Sequence, residues 1–204
     1  MFANDFQDII LRGRKVNFDD VLGEPFLDYD KSISLVSQAL DVFDRHRESK
    51  PKRMVIHKTS GFRAAEVKGF SEVLEKAGIM YDLVSLKKSS VRLVRYGTMP
   101  VPRGSMFNVD GCTFLYTKGY IPELKTYPGV HLPAPFEVMK ARGDSSLKEI
   151  CKEILALTKL NWNSADFCGG LPITIGFSRN VGQVLKTFDE GEQEQPAESY
   201  RFYM

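Results

Sequence analysis

Four polar side chains crowd the end of an apolar stretch at residues 154–163, ILALTKLNWN. Thr158, Lys159, Asn161 and Asn163 offer a hydroxyl, an ammonium and two amides around the single tryptophan of the chain. None is a good nucleophile or general acid, but each can donate a hydrogen bond to an anionic oxygen, and Lys159 adds charge. Such groups suit holding a phosphate backbone, a contact that positions a strand without reading its sequence. The same residues also serve as ordinary caps at a helix C-terminus, and this segment alone does not separate the two readings.

Bond-cleaving constellations are harder to find. The sequence has no GxGxxG after a strand, no P-loop, no GxSxG and no HExxH. His46, His57 and His131 lie on three different kinds of element, and His57, closing a buried strand, reads as a structural histidine. A two-metal nuclease needs carboxylates converging from strand ends on cations roughly 4 Å apart. An α/β fold places such a group beyond a strand tip like that at residues 57–60. That tip carries His57, Lys58, Thr59 and Ser60, and no carboxylate.

The elements that must position these groups follow from periodicity and breakers. Residues 6–16 read as a strand and a turn bending at Gly13. Asp30 is placed to cap a helix over 31–47, because Ile33, Val36, Leu40 and Phe43 recur at helical spacing. The β-branched run 53–57 (RMVIH) is a buried strand, a second amphipathic helix runs through Val67, Phe70 and Leu74 to Gly78, and 80–86 is another strand. Strand–helix–strand–helix–strand is the grammar of an α/β domain with a largely parallel layer. Downstream, the alternating 91–96 (VRLVRY) and 112–117 (CTFLYT) predict antiparallel strands added to the sheet. Residues 126–135 form an extended proline-rich loop, and Ser146 with Glu149 makes a capping box for the helix that ends in ILALTKLNWN. Ser178 is placed to cap a last helix over 179–188, followed by an acidic loop at 189–198 and an aromatic terminal strand, YRFYM.

At 204 residues the chain has room for one substantial core. It contains no apolar run near the roughly 18–20 residues that span a membrane, and its start (MFANDFQD) lacks the pattern of a signal peptide. Cys112, Cys151 and Cys168, odd in number and without CxxC spacing, read as reduced core residues of a cytoplasmic protein. Net charge is only +2, so an anionic partner would need a local basic surface. The middle of the chain offers one, with Lys50, Lys52, Arg53, Lys58, Arg63, Lys87, Lys88, Arg92, Arg95 and Arg103 between residues 45 and 103. Acidic residues concentrate near the ends, among them Asp19, Glu24 and Asp28 early and Glu190, Glu192 and Glu194 late.

Taken together, RMVIHKTSGF, PRGS, FLYTKG, TYPG and ILALTKLNWN, then LPITIGFSRNVGQVLK and YRFYM, resemble the PIWI domain of a prokaryotic Argonaute of the catalytically inactive type. The similarity runs in order over nearly the whole chain. It implies an α/β fold, an RNase H-like mixed sheet flanked by helices and partial at the N-terminus. Residues 1–204 would then be one PIWI-like domain, the C-terminal portion of an Argonaute. Such domains hold a guide strand with its target, RNA or DNA, and serve prokaryotic defence.

Active members of that family cut with three acidic residues and a fourth Asp or His. They carry an Arg-Asp-Gly turn where this chain has Lys58, Thr59 and Ser60, so Thr59 stands at an aspartate position. The fourth position falls near Arg179 or Asn180, and nothing before Phe6 could be the opening strand that bears the first aspartate. The resemblance therefore implies binding without cleavage. Guide contacts carry over to Thr158, Lys159, Asn161 and Asn163 and to residues 171–177, with Arg103, Lys118, Arg179 and Lys58 in second rank. The family pattern also allows one Mg²⁺ at the pocket for the guide's 5′ phosphate, reached by the terminal carboxylate of Met204. A MID domain and the first PIWI strand are expected from a preceding segment or a partner polypeptide. Two alternatives stay open: a metal-dependent guided endonuclease drawing carboxylates from Asp8, Asp19, Asp20 or Glu24 or from a partner chain, and a non-functional remnant or purely structural interaction protein.

Overall fold

The computed structural model describes residues 9–11, 16–21, 23–47, 50–94, 96–97, 100–127, 129, 131–160 and 167–185. It begins with a small antiparallel hairpin, β1 (Asn17–Phe18) and β2 (Pro25–Phe26), turned through Gly23 at φ 61°. Helix α1 (Tyr29–Arg47) follows, capped by Asp28, whose Oδ1 accepts the Lys31 amide at 2.8 Å. The sequence expectation of Asp30 as the cap is thereby corrected: Asp30 lies inside the first turn, where its charge suits the helix dipole.

Strand β3 (Arg53–Lys58), helix α2 (Ala64–Ala77) and strand β4 (Met80–Lys88) form a parallel βαβ unit, with His57 opposite Val84. Gly78, at φ 69°, ends α2 in the left-handed conformation that glycine adopts without steric cost. The remaining sheet is antiparallel. β5 (Met106–Val109) and β6 (Cys112–Leu115) meet at Asp110-Gly111, whose positive φ values of 49° and 78° suit a two-residue hairpin turn. β7 (Phe136–Gly143) inserts between β4 and β6, giving the order β3-β4-β7-β6-β5. Helices α3 (Leu147–Leu157) and α4 (Ile173–Leu185) complete the described chain.

Alternation along β4 assigns the two faces. Tyr81 and Leu83 pack with Val36, Phe70 and Leu74 under α1 and α2. Val84 and Leu86 face Leu115, Val138, Ile150, Ile154 and Ile175 under α3 and α4. The fold class read from the sequence is thus observed, a mixed sheet between helices.

Three element expectations change. Val91, Leu93 and Val94 are exposed and carry no strand, because Met106–Val109 takes the place beside β6. β7 went unread: its apolar residues are broken up by Glu137, Lys140 and Arg142, although the strand lies inside the sheet. Helix α4 begins at Ile173 directly after Pro172, so Ser178 is interior to it, its hydroxyl donating back to the Thr174 carbonyl at 2.7 Å. Most of the strand expected over 6–16, the terminal strand YRFYM and the loop at 189–198 lie outside the described residues.

Candidate nucleic-acid interface

The tip of β3 is built around a buried carboxylate that the sequence reading passed over. Glu66, in the first turn of α2, is 1% exposed, and its two oxygens accept the Lys58 ammonium at 2.6 and 2.8 Å. The same carboxylate accepts the Leu27 amide at 3.0 Å and the Arg63 amide at 2.8 Å. Lys58 also reaches the Gly61 carbonyl at 3.2 Å and lies over the Phe62 ring. Its ammonium is therefore directed inward, while Thr59 beside it is exposed. A cue was available: Glu66 falls in the first turn of the amphipathic helix read through Val67 and Phe70, where a carboxylate suits the helix N-terminus.

The early acidic segment folds over this tip. Asp19 pairs with Arg63, and Glu24 pairs with Lys87 at 2.8 Å and accepts the Gly61 amide at 3.3 Å. The Lys87 ammonium holds the Glu24 carboxyl below its ordinary range. Ser60 ties the layers together, donating to the Pro25 carbonyl and accepting from Ser85. Carboxylates thus do approach the strand tip, from the loop and helix on either side of it. Each is matched by a cation, and among the described residues no three His, Cys, Asp or Glu side chains are grouped to hold a metal ion.

His57 lies one residue back on β3, where its Nδ1 and the Thr174 hydroxyl of α4 share a hydrogen bond of 2.8 Å. Burial pushes its pKa down to about 4, so the ring is neutral at pH 7 and links strand to helix. At the other end of β3, Arg53 bridges Asp82 at 2.7 Å and Glu153 at 2.5 Å, tying the sheet to α3. Burial opposes the Asp82 charge, but hydrogen bonds from Ser145 and Arg53 outweigh it and hold its pKa down.

A second locus lies where α3 ends. Thr158 is 1% exposed; its hydroxyl donates to the Leu155 carbonyl at 2.7 Å and accepts from Arg103 at 2.5 Å. Arg103 also donates to the Leu155 carbonyl, placing a cation on the negative end of the helix. These two therefore brace the helix end instead of presenting donors to solvent. Lys159 is exposed, its ammonium 4.9 Å from the centroid of the exposed Phe167 ring. The chain returns through Gly169, whose amide donates to the Thr158 carbonyl at 2.7 Å, and Gly170, whose carbonyl accepts from Thr117 at 2.7 Å. Exposed Lys118 lies against Gly170, closely enough that a Cβ there would collide with its side chain.

The structure thus gathers Thr158, Lys159, Arg103 and Lys118 around one turn leading into α4. Lys58 belongs to the separate tip of β3. Arg179 is exposed in the middle of α4, a correction to its expected place at a helix start. Asn161, Asn163 and Met204 lie outside the described residues. The basic segment is also less cationic than it reads, since Arg53, Lys58, Arg63 and Lys87 each hold a carboxylate, leaving Lys50, Lys52, Lys88 and Arg92 among its exposed cations.

This ordering of a parallel βαβ pair, an antiparallel extension and helices on both faces is a PIWI-like version of the RNase H-like fold. Solved prokaryotic Argonautes share it. Clostridium butyricum Argonaute bound to a guide DNA and a 19-mer target DNA aligns over 83% of this chain and 22% of its own, with TM-score 0.66 and 21% identity. Aa-Ago with externally bound siRNA aligns over 89% of this chain and 24% of its own, with TM-score 0.64 and 19% identity. Aquifex aeolicus Argonaute aligns over 88% and 25%, with TM-score 0.63 and 18% identity. The chain thus spans about a quarter of the length of these Argonautes, and at such identity the likeness is one of fold. No protein-family description and no curated protein matches the sequence.

Proposed function

We propose that this chain is a non-cleaving PIWI-type module that helps hold a guide strand and its target, in prokaryotic defence against foreign DNA. The observation that carries the reading is the tip of β3, where Lys58 occupies both oxygens of Glu66 and Thr59, which the resemblance sets at the family's aspartate position, is exposed. An ammonium fixed on that carboxylate competes with any divalent cation for the same oxygens. The shared fold supports the nucleic-acid partner, since the C. butyricum protein was captured with guide and target DNA. Phosphate contacts are assigned to Lys159, Lys118, Asn161, Asn163 and Arg179, with Thr158 and Arg103 bracing the end of α3. The grip on the guide's 5′ end is assigned to a MID domain in a preceding segment or partner polypeptide, where one Mg²⁺ and the Met204 carboxylate would fit the family pattern.

Filter binding of a short guide and a guide–target duplex, at several salt concentrations, tests this reading. Affinity should fall linearly on a log–log plot with a slope near −0.7 to −0.9 per phosphate engaged. Binding that is absent, or indifferent to salt, with the guide's 5′-end partner supplied would refute it. One observation favours a second reading, a guided endonuclease: Asp19 and Glu24 do lie at the β3 tip. Target cleavage dependent on Mg²⁺ or Mn²⁺ and abolished by Glu24→Gln would establish that alternative.

A further inference from the structure

We propose that Phe167 is a stacking platform for an unpaired nucleobase, flanked by Lys159 and Lys118 on the adjoining phosphates; this rests on the nucleic-acid reading above and names the contact it would use. The ring is 45% exposed, with Leu160 nearby in sequence 42% exposed, and Lys159 is the cation 4.9 Å from its centroid. The residue that follows, Cys168, is only 9% exposed, so the chain turns inward directly behind the ring. Behind it again, the Gly169 amide is bonded to the Thr158 carbonyl and the Gly170 carbonyl to Thr117, both at 2.7 Å. Thr158 is itself locked by Arg103 and the end of α3. The exposed ring thus stands on an anchored turn, where little further ordering is needed to meet a ligand.

Exposed phenylalanine alone is common on protein surfaces. Here it is paired with charge of the sign a polyanion requires, and Lys118 lies along the same turn against Gly170. A lysine head over an exposed ring is weakly held and readily gives way. A base covers more of the ring face than an ammonium does, and the displaced ammonium gains a phosphodiester oxygen. Aromatic rings beside lysines are the general device for single-stranded nucleic acids, tolerant of sequence because every base has a π face. An acidic protein segment would satisfy the lysines but leave the ring unused, which makes the unpaired base the better-matched occupant.

The test compares a short labelled single strand with an abasic strand of the same length, by fluorescence anisotropy on the full chain. The unsubstituted protein should prefer the base-bearing strand by about tenfold. Phe167→Ala should bring the base-bearing strand down to the abasic affinity, Phe167→Trp should keep the preference, and Lys159→Ala should weaken both strands. Equal affinity of the unsubstituted protein for the two strands, or a preference that survives Phe167→Ala, overturns the proposal while leaving general nucleic-acid binding intact. Failure to bind either strand, with the guide's 5′-end partner supplied, overturns both.

Discussion

Lys58 and Glu66 share one ion pair but not one environment: the carboxylate is 1% exposed and the ammonium's side chain 19%. Removing the lysine strands a buried charge, whereas removing the carboxylate leaves a cation that can swing toward water. Lys58→Met should therefore cost about 3 kcal/mol in urea unfolding, with Glu66→Gln costing less because the amide oxygen still accepts from Leu27 or Arg63. A second residue-scale consequence concerns pH. His57 titrates near its ordinary 6.5 when unfolded and near 4 when folded, through burial. The unfolded chain then takes up the proton first as pH falls. The stability tied to neutral His57 is complete above pH 6.5 and is lost progressively down to about 4. Urea midpoints measured from pH 7 to 4 should show this decline, and His57→Gln should flatten that part of the profile.

Among the elements, the end of α3 braces the turn to which the proposal assigns the phosphate contacts. Thr158→Val removes the hydroxyl that both caps the helix and receives Arg103, and should cost about 1–2 kcal/mol in thermal or urea unfolding. It should also weaken oligonucleotide binding through the displaced 167–170 turn. Capping at the other end was legible beforehand: Ser146 accepts the Glu149 amide and Glu149 reaches back to the Ser146 amide, as the spacing S-x-x-E requires. The βαβ unit was equally legible, since β3 and β4 are short stretches rich in β-branched and other apolar residues on either side of an amphipathic helix, and Gly78 marks the stop of α2. Alternation misled where burial was decided by neighbours far away in sequence. Residues 91–94 alternate well but have no place beside β6, while Phe136–Gly143 alternates poorly and is held between β4 and β6 by ladder hydrogen bonds on both edges. Local pattern reports which face could be buried, not which strand finds a partner.

Over the whole molecule the charge pattern changes meaning on folding. Read along the chain, acidic ends flank a basic middle; in space the hairpin β1–β2 and its flanks bring Asp19 to Arg63 and Glu24 to Lys87. Half-exposed pairs of this kind add little stability, about 0–1 kcal/mol each. Their larger effect is on the cation available to a ligand. The double variant Asp19→Asn, Glu24→Gln should leave the melting temperature nearly unchanged. It should also tighten duplex binding in filter assays and steepen the salt dependence by up to about two phosphate equivalents. This self-neutralisation explains why the site was only partly legible. Lys159 and Lys118 were identifiable by type and setting, but composition cannot tell a free lysine from one spent on Glu66. Phe167 gave no sequence signal apart from the turn that displays it. Among the described residues no helix is long and apolar enough to cross a membrane.

The central claim is that the β3 tip holds no metal, its carboxylates being answered by Lys58, Lys87 and Arg63, and that binding is left to the turn at the end of α3. Titration of the chain with Mn²⁺, followed by the electron paramagnetic resonance signal of the free ion, addresses it most directly. No loss of free-ion signal attributable to Asp19, Glu24 or Glu66 is expected. A stoichiometric loss that disappears on Asp19→Asn, Glu24→Gln substitution would contradict it.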